Sequence, residues 1–179
     1  MDLKRLIKKC LHNDQRAYER LYNQYAPTFA GICRRYTDSK DEANDILQEA
    51  FIKIFNNLDK LKEKSLFEAW ARRIVVNTAI QTIKKSQNLI SIEQNEIDIT
   101  EEQEQHSTEV MQNLEMEEII TLLDHLPKGY KTILNLYAIE EYSHKEIGEI
   151  LNIQEATSRS QYHKAKKAFQ KIIVQTITE

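Results

Sequence analysis

The chain has 179 residues, 41% hydrophobic and 30% charged, with a mean hydropathy of −0.60 and a formal net charge of −3. Only three Gly and two Pro occur, and with no strand-like alternation the composition excludes a turn-rich β architecture and predicts an all-α fold. No apolar run would span a bilayer, the N-terminus lacks a signal-peptide core, and Cys10 and Cys33 show neither metal spacing nor a disulfide framework, so a cytoplasmic protein without metal or other cofactor is expected.

The charge is segregated. Through Asn88 there are 17 basic residues against 11 acidic ones; from Leu89 through Pro127 there are 11 acids and no Lys or Arg; from Lys128 onward 8 basic residues face 6 acids. Two basic blocks flanking an acidic one remain compatible with a polyanion partner despite the negative total. The pattern predicts two small helical domains: an N-terminal helix bundle over 1–86 and a C-terminal helix-turn-helix over 111–179. A flexible acidic linker over 87–110 joins them.

A short helix is expected over Leu3–Leu11. A second, over Asp14–Tyr36, carries Ala17, Leu21, Tyr25, Phe29 and Ile32 on one stripe, with Pro27 predicting a kink or break. The clearest pattern covers Asp41–Leu58, where Ala43, Ile46, Leu47, Ala50, Phe51, Ile54, Phe55 and Leu58 recur at three- and four-residue steps. Opposite them, Asp45, Gln48, Glu49 and Ile52 form a second row. It reads either as a solvated face or as a small docking surface for another protein, with the apolar Ile52 at its centre.

Over Leu66–Lys85 the apolar residues Phe67, Trp70, Ala71, Ile74, Val75, Ala79 and Ile83 alternate with Arg72, Arg73, Asn77, Gln81, Lys84 and Lys85. Basic residues and amides beside aromatics suit either a charged solvent face or a groove for phosphates and unstacked bases. After the linker, apolar residues resume near Val110. Pro127 stops that helix, Gly129 allows a sharp corner, and Lys131–Ile139 forms the next helix. Ser143-x-x-Glu146 is a capping box for a short helix, Asn152-Ile153-Gln154 a turn with Ile153 plugging the corner, and a basic helix follows. In it Tyr162, Ala165, Phe169 and Ile172 can face a core, leaving Ala156, Arg159, Ser160, His163, Lys164 and Lys167 outside. Small and basic residues in one row let a backbone approach DNA while Arg and Lys reach bases and phosphates.

Together these segments resemble the extracytoplasmic-function type of bacterial sigma factor, which carries only the region-2 and region-4 domains. The segment 41–55 looks like region 2.2, and 67–80 like regions 2.3 and 2.4. Leu126-Pro127, 142–147 and Thr157-Ser158-Arg159-Ser160 look like region 4. The resemblance implies a promoter-directing subunit with no chemistry of its own, partnered by core RNA polymerase and promoter DNA. Asp45, Gln48, Glu49 and Ile52 would dock on the polymerase clamp helices. Arg73, Asn77, Lys84 and Lys85 would meet the melted −10 element, where a base leaves the stack. Thr157, Arg159, Ser160, Gln161, His163 and Lys164 would read the −35 duplex, with Ser143 and His144 opening a helix against phosphate. The linker would thread the RNA exit channel, and a cognate anti-sigma factor, often membrane-anchored, would be the regulator. Departures from the family pattern are Val76 for a frequent Arg, Gln81 for Asp, Ala156 for Gly, Ser158 for an apolar residue and Gln161 for Arg; they should alter the promoter read. The rival expectations are a stand-alone helix-turn-helix regulator that binds a palindrome as a dimer, and a helical interaction protein that never touches DNA.

Overall fold

The computed structural model describes residues 2–85 and 116–178. The chain forms two compact units, Met1–Lys85 and Ser86–Glu179, all-helical among the described residues. The linker expected over 87–110 lies outside the described residues, as does the helix start expected near Val110.

The first unit holds α1 (Leu3–Cys10), α2 (Gln15–Arg35), α3 (Lys40–Asn56) and α4 (Phe67–Lys85), with two 3₁₀ turns, Leu58–Lys60 and Lys64–Leu66, between the last two. Short polar residues start the first three helices. Asp2, Asp14 and Ser39 each sit in extended backbone and accept an amide of the first turn, as N-caps do. Of the kink or break expected at Pro27, the break does not occur, and α2 runs through it. Pro27 is exposed, and its missing donor costs about 3 kcal/mol. Burial of Leu21, Tyr25, Phe29 and Ile32 on the same helix offsets that, at ~1.5–3 kcal/mol for each aliphatic or aromatic side chain.

The three- and four-residue rhythm of α3 buries Ala43, Ile46, Leu47, Ala50, Phe51 and Ile54. Phe51 lies 4.6 Å from Tyr22 and 5.7 Å from Phe29, and Tyr25 lies 5.0 Å from Phe67, so rings from α2, α3 and α4 share one core. α4 turns more of itself inward than its apolar stripe suggests, because Val76, Thr78 and Ile80 are buried as well. Val76, one of the departures expected to alter promoter reading, is fully buried.

The second unit holds α5 (Met116–Leu123), α6 (Lys128–Leu134), a π-helical turn (Asn135–Ile139), α7 (His144–Leu151) and α8 (Glu155–Thr178). Gly129 makes no corner. α6 begins at Lys128 with Gly129 in its first turn, and Pro127, extended at φ −52 and ψ 140, accepts the Lys131 amide at 3.0 Å. Proline suits a helix entrance because the donor it lacks would have no partner there. The expected Lys131–Ile139 helix is therefore shifted forward, and its end widens into the π turn.

Leu123, Leu126, Tyr130 and Leu134 pack on Ala165, Ala168, Phe169 and Ile173 of α8. Lys131 is buried too, with its ammonium 2.6 Å from Asp124; an internal cation needs such a partner. The capping box is formed in both directions. Ser143 N donates to Glu146 Oε2 at 2.9 Å, and Glu146 N donates to Ser143 Oγ at 3.3 Å.

The corner between α7 and α8 rests on two residues. Asn152 takes the left-handed conformation at φ 58, which asparagine tolerates better than most side chains. Gly148 lies where the returning backbone passes: a Cβ there would stand 2.8 Å from the Ile153 carbonyl oxygen. Ile153 is only half-buried, so close backbone contact, more than an apolar plug, fixes this corner.

Candidate nucleic-acid interface and docking face

On α3 the residues opposite the core row are Asp45, Gln48, Glu49 and Ile52, and all four are exposed. Ile52 is 60% exposed, an isolated aliphatic among two carboxylates and an amide. Glu49 is held below the usual carboxylate range by a hydrogen bond from Lys53, whose ammonium is 2.8 Å away, helped by the charges of Lys53 and Lys85. The row thus carries acidic charge around one apolar side chain.

Beside this row, α3, the first 3₁₀ turn and α4 line an open pocket of about 360 Å³. Lys53, Asn57, Lys60, Trp70, Ile74, Asn77, Thr78 and Gln81 line it. Trp70 and Ile74 are half-buried and supply an apolar wall. Of the four residues expected at a melted strand, Asn77 lines the pocket, while Arg73, Lys84 and Lys85 are exposed on α4 outside its lining. Sequence reasoning missed Lys53, Asn57 and Lys60 as pocket residues. The signal was present: Lys53, Asn57 and Lys60 step by four and three residues, and Trp70, Ile74, Asn77 and Gln81 by four, three and four, two faces that meet once the helices pair.

In the second unit the expected duplex-facing residues separate into three groups. Arg159, Ser160 and His163 are exposed on α8, and Ser143 is exposed at the start of α7; Thr157 and Lys164 are half-buried at the margin. Gln161 is also half-buried, with its Oε1 turned inward and unpaired among the described residues. Arg159 is paired with Glu155 one turn earlier at 2.6 Å, which holds the guanidinium out along the exposed side.

His144 is the correction. It is buried, its Nδ1 lies 3.0 Å from Ser158 Oγ, and its ring stacks on Tyr137 at 4.3 Å and 14°. Tyr162 closes over Tyr137 at 4.4 Å. Burial, followed by the nearby charge of Arg159, lowers the imidazole pKa below its ordinary 6.5, so the ring is neutral at pH 7. It ties α7 to α8 and presents no side chain to a phosphate. Ser158, which departs from the family's apolar residue, is completely buried as the other half of that hydrogen bond.

The remaining chemistry is sparse. Burial pushes the Cys33 thiol up to about 12; burial and the charge of Asp14 push Cys10 up to about 11, so both stay protonated and poorly nucleophilic. Among the described residues no group of three or more His, Cys, Asp or Glu could hold a metal ion, and no helix is long and apolar enough to cross a membrane.

Comparison with known proteins matches both units. The Sigma-70 region 2 family model matches residues 21–88, and the Sigma-70, region 4 model matches residues 116–169. The chain is similar to the ECF RNA polymerase sigma factor SigW of Bacillus subtilis (strain 168), 31% identical over 181 residues that span 96% of each chain. It is 27% identical to the ECF RNA polymerase sigma-E factor of Escherichia coli (strain K12), over 91% of this chain and 90% of that one. Among solved structures, CnrH in complex with the cytosolic domain of CnrY shares the fold at a TM-score of 0.51 and 18% identity, over 97% of both chains.

Proposed function

The chain belongs to the family of ECF RNA polymerase sigma factors, and we infer from its two surfaces how the work is divided between its units. It binds core RNA polymerase and directs promoter-specific initiation of transcription. One observation carries the reading: the two sigma-70 regions fall on separate compact units, one with an acidic-apolar row beside a pocket, the other a capped helix-turn-helix with a basic outer row.

In the first unit, the α3 row Asp45, Gln48, Glu49 and Ile52 docks on the polymerase. Ile52 supplies the desolvated centre and the carboxylates supply steering and register. The adjoining pocket takes an unstacked base from the melted −10 strand: Trp70 and Ile74 offer an apolar wall, while Asn77, Gln81 and Lys60 offer polar groups for a base edge. Exposed Arg73, Lys84 and Lys85 supply positive charge along the strand. In the second unit, Arg159, Ser160, His163 and Lys164 read the −35 duplex, with Thr157 at the margin and the Ser143 end of α7 facing phosphate. Gln161 and His144 serve this face from inside, by packing. Residues 87–110, which carry acids and no Lys or Arg, tether the units over 1–86 and 111–179 and follow the RNA exit path.

The protein acts in the cytoplasm, where the polymerase and chromosome are. Its regulator is an anti-sigma factor that covers the docking row and the basic helix; the solved relative is held by the cytosolic domain of another protein, the kind of partner a membrane-anchored regulator would supply. A pull-down with core polymerase tests the reading. Wild type associates and Ile52→Asp does not; equal capture of both, or of neither, overturns the docking assignment.

A further inference from the structure

Lys53 stands between the docking row and the pocket. Its ammonium has three donors, and three acceptors surround it: Glu49 Oε1 at 2.8 Å, Gln81 Oε1 at 3.2 Å and Thr78 Oγ1 at 3.3 Å. Thr78 Oγ1 donates its own proton to the Ile74 carbonyl at 2.8 Å, so toward Lys53 it can only accept. Every donor of the ammonium is therefore spent on protein, and the side chain is pinned against the pocket wall.

A pinned ammonium settles the orientation of the amide beside it. It can pair with the carbonyl oxygen of Gln81 and not with the NH₂, because both of those groups are donors. The oxygen is turned to Lys53, and the two N–H donors of Gln81 are at the end of the amide turned away from it. Asn57 is held in place, since its Nδ2 donates to the Lys53 carbonyl at 2.7 Å and its Oδ1 accepts from Lys60 at 2.6 Å. Lys60 has only donors to offer, and the Asn77 amide has both donors and an acceptor. Gln81 and Lys60 thus tilt the polar side of the pocket toward donation.

Building on the reading of this pocket as the seat of an unstacked base, we propose that Lys53 is a positioning residue that turns the amide donors of Gln81 toward the exocyclic group of the base, so that the pocket selects a keto base, thymine or guanine, over an amino base, adenine or cytosine. A free glutamine would accommodate adenine with both ends of its amide; here one end is committed.

The test uses holoenzyme assembled from the full-length chain and core polymerase on one promoter mapped by genomic runoff, with the non-template strand randomised upstream of the start. Transcripts are sequenced for wild type, Gln81→Glu and Lys53→Met. The proposal expects one position to favour T or G by about tenfold in wild type, to favour C or A with Gln81→Glu, and to lose discrimination with Lys53→Met, other positions staying unchanged. Should Lys53→Met loosen α3 from α4, seen as a lowered melting temperature, Gln81→Glu still decides the matter, since its carboxylate keeps a partner in Lys53. A position whose preference survives Gln81→Glu, or a uniform loss at every position, overturns this proposal and leaves the promoter-directing role standing. Failure of wild type to initiate anywhere overturns both.

Discussion

Replacing Ile52 by Asp separates docking from folding. The side chain is 60% exposed, so the fold draws little from it. Full burial of an aliphatic side chain contributes about 1.5–3 kcal/mol, and the exposed share leaves ~1–2 kcal/mol for a partner to collect. Aspartate collects none of this and must shed water on entering the interface, adding about 1–3 kcal/mol. The sum, ~2–5 kcal/mol, weakens association with core polymerase by roughly 30- to 5,000-fold, whereas Ile52→Ala loses only the first contribution, about 5- to 30-fold. Folding should barely respond: a substitution on an exposed helix face changes stability by about 0.5 kcal/mol or less, with a little added repulsion from Glu49 three residues away. Titration of fluorescently labelled chain with core polymerase, beside a thermal melt of each variant, measures both quantities. An Ile52→Asp protein that binds within about twofold of wild type would refute the reasoning, as would one that loses binding only because it no longer melts cooperatively.

The other expectations concern the second unit. Gly148→Ala drives a methyl into the Ile153 carbonyl, 2.8 Å from the ideal Cβ. It should cost ~1–3 kcal/mol and depress initiation at −35-dependent promoters while capture by core polymerase persists; an unchanged melting temperature would contradict the close contact. Arg159→Ala with Lys164→Ala removes two cations from the outer face of α8, and should reduce promoter-dependent initiation by roughly 10- to 100-fold and flatten its salt dependence, read by runoff at several salt concentrations. If all activity survives that double change, the interaction-protein alternative gains. Acid should act on the helix-turn-helix through His144. Its folded pKa is depressed below 6.5, so above that value the ring is neutral folded or unfolded and the His144–Ser158 contact is intact. As pH falls below 6.5 the unfolded chain binds the proton first, and stability declines until the folded ring also titrates. His144→Gln should therefore show a shallower loss of melting temperature between about pH 7 and 5.5 than wild type; parallel curves would remove His144 as the cause.

Periodicity along one helix was legible, and contact between helices was not. The two rows of α3 and the Ser143–Glu146 box are local patterns, set by three- and four-residue steps within one element, and the structure reproduces both. The step that Lys53 shares with Asn57 and Lys60 was legible and its partners were not, because Thr78 and Gln81 lie 25 and 28 residues further on, and their meeting depends on how α3 pairs with α4. His144 looked like a surface residue because a polar side chain at a helix start is usually exposed; its burial is sustained by Ser158, 14 residues away, and by the ring of Tyr137. A break at Pro27 was the wrong reading in the other direction. A local penalty was visible while the burial that outweighs it is a tertiary quantity. Gln161 shows a further limit, since its place in the sequence motif suggests a base contact and its half-buried amide shows that the motif alone does not fix which way a side chain turns.

The central claim is that this chain confers promoter choice on RNA polymerase. Runoff transcription on genomic DNA tests it most directly, with core polymerase alone and with the chain added. The account predicts discrete start sites that appear only with the chain and vanish with Ile52→Asp. Chain-independent starts, together with tight palindromic duplex binding by the free protein as a dimer, would contradict it and establish a stand-alone helix-turn-helix regulator instead.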